Sequence, residues 1–159
     1  MYPGSVSEDA TLASLHDFHE IVDTLYRFAM GQDIRDRDLF ESAFAPDAVL
    51  DFTQPALRFG AALVPFEGRT AIADTVFETI APLDTTHTVT NPRVVYHAAG
   101  ATLFALVEAQ HVSTIEPARR LLLKNRYTVE LRRGPGCWLI ERMVIHTVWH
   151  EGDPTVLFG

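Results

Sequence analysis

The sequence predicts an α+β domain: a cone-like α+β barrel in which three N-terminal helices pack on a strongly curved, mixed, mainly antiparallel sheet and enclose a pocket. Three observations predict it. Up to about residue 80, apolar residues recur three and four apart, the helical period. After Pro82 the chain turns to long segments rich in valine, isoleucine, threonine and aromatics, the composition of strands. Those segments are joined by the short connections HAAGA, EPA and GPG, which make antiparallel neighbours. Helices followed by a meander are the α+β order.

The first helix spans residues 12–31, with Leu12, Leu15, Phe18, Ile21, Val22, Leu25, Phe28 and Ala29 on one face. Ser5 with Glu8 fits a capping box, Thr11 fits a later start, and Gly31 fits a C-terminal stop. A second helix follows over residues 37–44, with Asp36 as N-cap, Leu39, Phe40 and Phe44 inward, and Pro46 as terminator. AVLDF at 48–52 reads as a short strand. The stretch TQPALRFGAALVPFEG, with two prolines and two glycines, reads as a loop with a piece of strand. Thr70 caps a third helix to about Ile80, with Ile72, Val76, Phe77 and Ile80 on one face. Four long strands complete the chain: Thr85 to His97, Ala101 to Ile115, Arg119 to Arg133 and Cys137 to Trp149.

A length of 159 residues suits one domain, residues 1–159, with tails at 1–10 and 154–159. With 47% hydrophobic and 21% charged residues it has the composition of a globular protein. Thirteen Lys and Arg against 21 Asp and Glu give a net charge of -8, which argues against nucleic-acid or anionic-membrane partners. A single cysteine, Cys137, allows no intrachain disulfide and points to the cytoplasm. MYPGSVSEDA has no secretory-signal pattern, and no apolar run approaches the ~20 residues that span a bilayer.

Candidate functional residues follow from strand alternation. Leu103, Ala105, Val107, Ala109 and His111 share a face, small residues leading to a histidine. On the preceding strand, in DTTHTVTNP, His87, Val89 and Asn91 share a face, and the turn near residues 98–100 brings His87 and His111 toward one level. Asp33, in GQDIRDRD, falls where the chain bends over the sheet. A histidine whose ring N–H is taken by a carboxylate has a fixed tautomer and a free nitrogen for proton transfer. Tyr26 and Tyr127 carry hydroxyls able to reach a ligand, and Asn91 is a candidate wall residue. His146 and His150, four apart on a strand, share a face, but the grouping lacks the tightness or the carboxylate of a metal site, so no metal is expected. No G-x-S-x-G, P-loop or dinucleotide fingerprint occurs.

The order LF…AFAPDAVLDF, THTVTN, EAQH, RYTVELRR…CWLIERM and W-H-E-G-D, over Leu12 to Asp153, resembles the SnoaL-like branch of the nuclear-transport-factor-2-like superfamily. In its polar residues it is nearest to scytalone dehydratase, bile-acid 7α-dehydratase and hexachlorocyclohexane dehydrochlorinase. The resemblance implies an aspartate–histidine pair at Asp33 and His87 and a second acid–base histidine at His111. Gln32 stands where scytalone dehydratase has a tyrosine, and Met143, a candidate substrate contact, where the dehydrochlorinase has an arginine on its last strand. The same resemblance implies a cofactor-independent lyase of dehydratase type, or an isomerase, acting on a small apolar, cyclic substrate. The alternative is a ligand-binding or structural subunit like the β subunits of ring-hydroxylating dioxygenases. Outward Phe104, Leu106 and Val112 and the tail's Val156, Leu157 and Phe158 point to self-association, the resemblance favouring a trimer over a dimer.

Overall fold

The computed structural model describes residues 8–158. Helix α1 (Glu8–Asp33) leads into α2 (Arg37–Ser42), strand β1 (Phe44–Asp51), α3 (Thr53–Arg58), β2 (Phe66–Glu67) and α4 (Arg69–Ile80). The meander β3 (Leu83–His97), β4 (Gly100–Ser113), β5 (Arg120–Arg133) and β6 (Trp138–Gly152) follows, then the short helix α5 (Thr155–Phe158). The six strands form one sheet in the order β2-β1-β6-β5-β4-β3. Neighbours in the meander are antiparallel, β1 runs parallel to β6, and β2 is antiparallel to β1, so the sheet is mixed.

The expected barrel does not form. β2 and β3 are the two edges of the sheet and do not pair with each other. β2 has only two residues, and the β1–β6 ladder breaks between Phe44 and Val49, so that end cannot extend to meet β3. Nor is the sheet strongly curved: the long ladders run in register over most of their length, with few of the bulges that bend strands sharply. The architecture is an open α+β sheet with its helices on one face.

Helical spacing is carried into packing only from Ile21 onward; Leu12, Leu15 and Phe18, expected on the same face of α1, are exposed. Ile21, Leu25 and Phe28 of α1 are buried, and Phe28, Phe40 and Phe44 form an aromatic cluster with ring centroids 5.3–5.9 Å apart. Each such ring contributes about 1.5–3 kcal/mol by leaving water. Inward positions of the meander alternate without exception over Ala101, Leu103, Ala105, Val107, Ala109 and His111.

Several boundaries differ from expectation. Gly31 does not stop α1, which runs two residues further. A Cβ there would lie 2.5 Å from the Phe40 backbone nitrogen, so the glycine permits α2 to cross α1 closely. Asp36 does cap α2, its carboxylate accepting from the Leu39 N–H at 2.9 Å. Phe44 opens β1 instead of closing α2, and Pro46 sits where that strand's ladder is irregular. Residues 53–68 hold a helical turn as well as the strand piece. Gly68, not Thr70, occupies the cap of α4. Residues 155–158, expected as a tail, form α5. Ser5, half of the suggested capping box, lies outside the described residues, and Thr11 falls inside α1. No described helix is long and apolar enough to cross a membrane.

Candidate active site

Asp33 is the last residue of α1 and meets the free edge of the sheet at β3. An edge strand has N–H groups with no ladder partner, and the carboxylate takes one of them. Asp33 Oδ2 accepts from the His87 backbone N–H at 2.7 Å. Oδ1 accepts from His87 Nδ1 at 2.7 Å and from the Thr85 hydroxyl at 3.0 Å. A carboxylate only accepts, so Nδ1 carries the proton and Nε2 is left as the basic nitrogen of a ring that lines the cavity. The His87 side chain is 4% exposed and that of Asp33 is 16% exposed. The pair is therefore largely withdrawn from water, where its hydrogen bonds are strong.

His87 pairs with Ala109 in the sheet and Thr85 with His111, so the two histidines are diagonal neighbours on the inner face. The turn places His97 opposite Gly100, and the bulge between Thr90 and Arg93 moves the register by one residue more, so the two histidines are not directly opposite. Their rings meet edge to face at 5.8 Å. Burial, and then the neighbouring His87, push the His111 imidazole down to about 3, so it is neutral at physiological pH. Its Nδ1 is buried without a hydrogen-bond partner among the described residues. An unmatched buried polar atom costs free energy and is available to a ligand.

Both histidines line a cavity of about 330 Å³ between the sheet and α1, α4 and α5. Phe28, Leu50, Phe52, Phe66, Val76, Ile145, Leu157 and Phe158 make most of its wall apolar. Phe158 closes one side by stacking on Phe52, ring centroids 5.8 Å apart, and leaning on Phe59. Ala109, between His87 and Leu123, leaves room over the sheet. No lysine, arginine, aspartate or glutamate lines the cavity among the described residues, which disfavours a highly charged ligand.

Tyr127 lies in this wall, and burial pushes its phenol above the ordinary range, so it stays a neutral donor. Of the polar lining residues that sequence reasoning does not offer as ligand contacts, two are buried. Gln32 is buried, with its amide donating to the Phe28 carbonyl at 3.3 Å. Its place four beyond Phe28 on the face of Ile21 and Leu25 was the available signal. Asn125 is buried two residues before Tyr127, and its Oδ1 accepts from Thr147 Oγ1 at 2.8 Å. That bond orients the amide and leaves its N–H groups for other partners. Strand alternation from Tyr127 was the signal there.

Three expected ligand contacts lie elsewhere. Tyr26 is 44% exposed on α1, one position off the buried Ile21–Leu25–Phe28 stripe. Asn91 sits in the bulge of β3 with φ of 54° and is exposed, beside a groove on the outer face of the sheet. Met143 is wholly buried in the core and not in the cavity wall. His146 and His150 do not share a face either. The β6 ladder shifts between Thr147 and Trp149, leaving His146 exposed opposite Arg126 and His150 opposite Leu123, against the Phe59 ring at 4.7 Å.

The chain is 33% identical over 153 residues to terrestric acid biosynthesis cluster protein E of Penicillium crustosum, covering 92% of each. Its fold is similar to that of a protein assigned as a scytalone dehydratase from Novosphingobium aromaticivorans, with a TM-score of 0.77, 18% identity, and 90% and 91% of the two chains covered. Hexachlorocyclohexane dehydrochlorinase LinA-type3 from Novosphingobium barchaimii gives a TM-score of 0.71 at 19% identity, covering 93% and 95%. At these identities the two structures speak to fold alone. The family of SnoaL-like domains matches residues 13–144, most of the chain, and it is to this family that the protein belongs.

Proposed function

We propose that the protein is a cofactor-independent lyase of dehydratase type, or an isomerase, with His87 as its proton-transfer residue and Asp33 as the group that orients it. The observation that carries this reading is the 2.7 Å bond from His87 Nδ1 to Asp33, which leaves Nε2 of a cavity-lining ring unprotonated. A general base needs that tautomer, and Asp33 stabilises the imidazolium once it forms.

The substrate is a small, mainly apolar molecule carrying a C–H next to a carbonyl. His87 Nε2 takes the proton, and the C–H electron pair becomes the π bond of an enolate. Its oxygen is within the province of neutral donors on the cavity wall: Tyr127, Asn125 or His111. Collapse of the enolate then expels a β-hydroxyl, which leaves as water with the proton from the imidazolium. In the isomerase variant the same proton returns to a different carbon. The likeness in fold to a dehydrochlorinase supports elimination, and the name of the curated relative supports an intermediate of small-molecule biosynthesis as substrate.

The test is turnover of a panel of cyclic β-hydroxy ketones, followed by substitution. His87→Ala should lower the rate by roughly 10²–10⁴, the worth of a positioned acid–base group. Asp33→Asn should cost a comparable share, and the double variant little more, because the two act as a unit. A folded His87→Ala protein with full turnover removes the catalytic assignment. It would favour the second reading, a binding or structural subunit, which the 24%-identical fold of a protein assigned as an aromatic ring hydroxylase also supports. We further infer self-association, trimeric in preference to dimeric, through the outer face of the sheet, where Phe104, Leu106, Val148 and Trp149 are exposed.

A further inference from the structure

Arg35, two residues beyond Asp33, has φ of 61°, the left-handed region. The Asp36 N–H bonds the Gly31 carbonyl at 2.8 Å and the Arg35 N–H bonds the Gln32 carbonyl at 3.4 Å. Those two bonds are the helix-ending pattern whose left-handed position is usually filled by glycine. A side chain with a Cβ is strained there, so its presence calls for compensation elsewhere.

The guanidinium supplies it. Arg35 donates to the carbonyls of Gln32 at the end of α1, Ile80 at the end of α4 and Leu83 at the start of β3. A fourth bond is of another kind: Nη1 donates to the Thr85 hydroxyl oxygen at 3.1 Å. Thr85 is 6% exposed, and its hydroxyl has one proton to give. With the cation on its lone pair, that proton goes to Asp33 Oδ1 at 3.0 Å. The donors run in one direction, from Arg35 to Thr85 to Asp33, and end on the oxygen that holds His87 Nδ1. The three carbonyl bonds alone would make Arg35 a strut between the ends of α1 and α4 and the start of β3; the bond to Thr85 extends its reach to the carboxylate.

We propose that Arg35, acting through Thr85, is a positioning residue that locks the Asp33 carboxylate and so keeps His87 in its Nδ1–H form. This rests on the reading of His87 as the proton-transfer group, but its test needs no substrate. The experiment is the long-range ¹H–¹⁵N spectrum of the His87 ring in ¹⁵N-labelled protein at neutral pH. Wild type should show one tautomer, protonated at Nδ1. Thr85→Val, near-isosteric but without the hydroxyl, should shift the tautomer ratio toward Nε2–H by roughly tenfold, the worth of one hydrogen bond. Arg35→Gly, which relieves the left-handed strain and removes the cation, should shift it the same way in a protein that still unfolds cooperatively. Thr85→Ser, which keeps the hydroxyl, should restore the wild-type spectrum. An unchanged His87 spectrum in either folded Arg35→Gly or folded Thr85→Val overturns the proposal and leaves Arg35 as a strut. A chain inactive on every substrate would leave the spectra unaffected, so failure of the catalytic reading and of this one are separable.

Discussion

At the scale of single residues, the burial of His111 makes the fold sensitive to acid. Its imidazole is buried, neutral and held down to about 3, against an ordinary value near 6.5. The sign of the consequence follows from proton counting. Below about pH 6.5 the unfolded chain binds a proton at this residue while the folded chain does not, so folding stability falls as pH falls. The loss accumulates through the window from about 6.5 to about 3, at up to roughly 1.4 kcal/mol per pH unit. A group kept at that cost, with Nδ1 unmatched, is what a ligand-facing polar contact requires. His111→Leu should therefore flatten the acid limb of stability by close to one proton, measured by urea unfolding between pH 4 and 7. An unaltered slope would place the acid sensitivity in other groups and return His111 to the status of an ordinary wall residue.

At the scale of elements, the junction of α1 with α2 sets where Asp33 points. Gly31 lets the Phe40 backbone approach to a distance no Cβ tolerates, and Phe40 then packs on Phe28, whose ring meets that of His87 edge to face at 6.3 Å. Gly31→Ala must push backbone, not a flexible side-chain tip, so it should destabilise by about 1–3 kcal/mol or more, despite alanine's better helix propensity. Thermal unfolding checks this; a variant of equal or greater stability would mean that the crossing yields easily. The same junction shows what was legible in the sequence. Periodicity found α1 and its buried stripe, because burial of one face is a local signal. The Asp33–His87 pair was legible because a bend residue and an alternating strand residue are local features too, and a family resemblance joined them. Arg35 and Thr85 were not, because a left-handed arginine has no signature distinct from any loop arginine, and its partners are 45 to 50 residues away. Asn91, Tyr26 and the supposed His146–His150 face failed for a shared reason: a bulge or a one-residue rotation reverses which side a residue faces, and neither is written in composition. The closed cone failed at β2, where only two residues pair.

For the whole molecule, the decisive fact is that the described helices pack on one face of an open sheet, which leaves the other face bare among the described residues. The four strands of the meander have about 14 residues each. At ~3.3 Å per residue and ~4.8 Å between strands they present roughly 900 Å². That is about what one partner contributes to a stable interface, near 800 Å². The face exposes large apolar side chains, with Phe104 44% and Leu106 43% exposed beside Val148 and Trp149. Its charges are of both signs, Glu108 against Lys124 and Arg126 opposite His146, on a chain whose net charge is -8. A strongly acidic or basic partner finds no single-sign surface there, whereas a second copy brings a matching mixture of charged and apolar side chains. Light scattering at micromolar concentration should therefore give a multiple of the 17.8 kDa chain mass. Leu106→Glu places a charge in the part of the patch that association would desolvate, and should shift the protein to monomer while leaving the His87 cavity on the opposite face intact. A wild-type monomer under those conditions would show that this much apolar sheet stays wet, and the outer face would lose its claim to be an interface between copies of the chain.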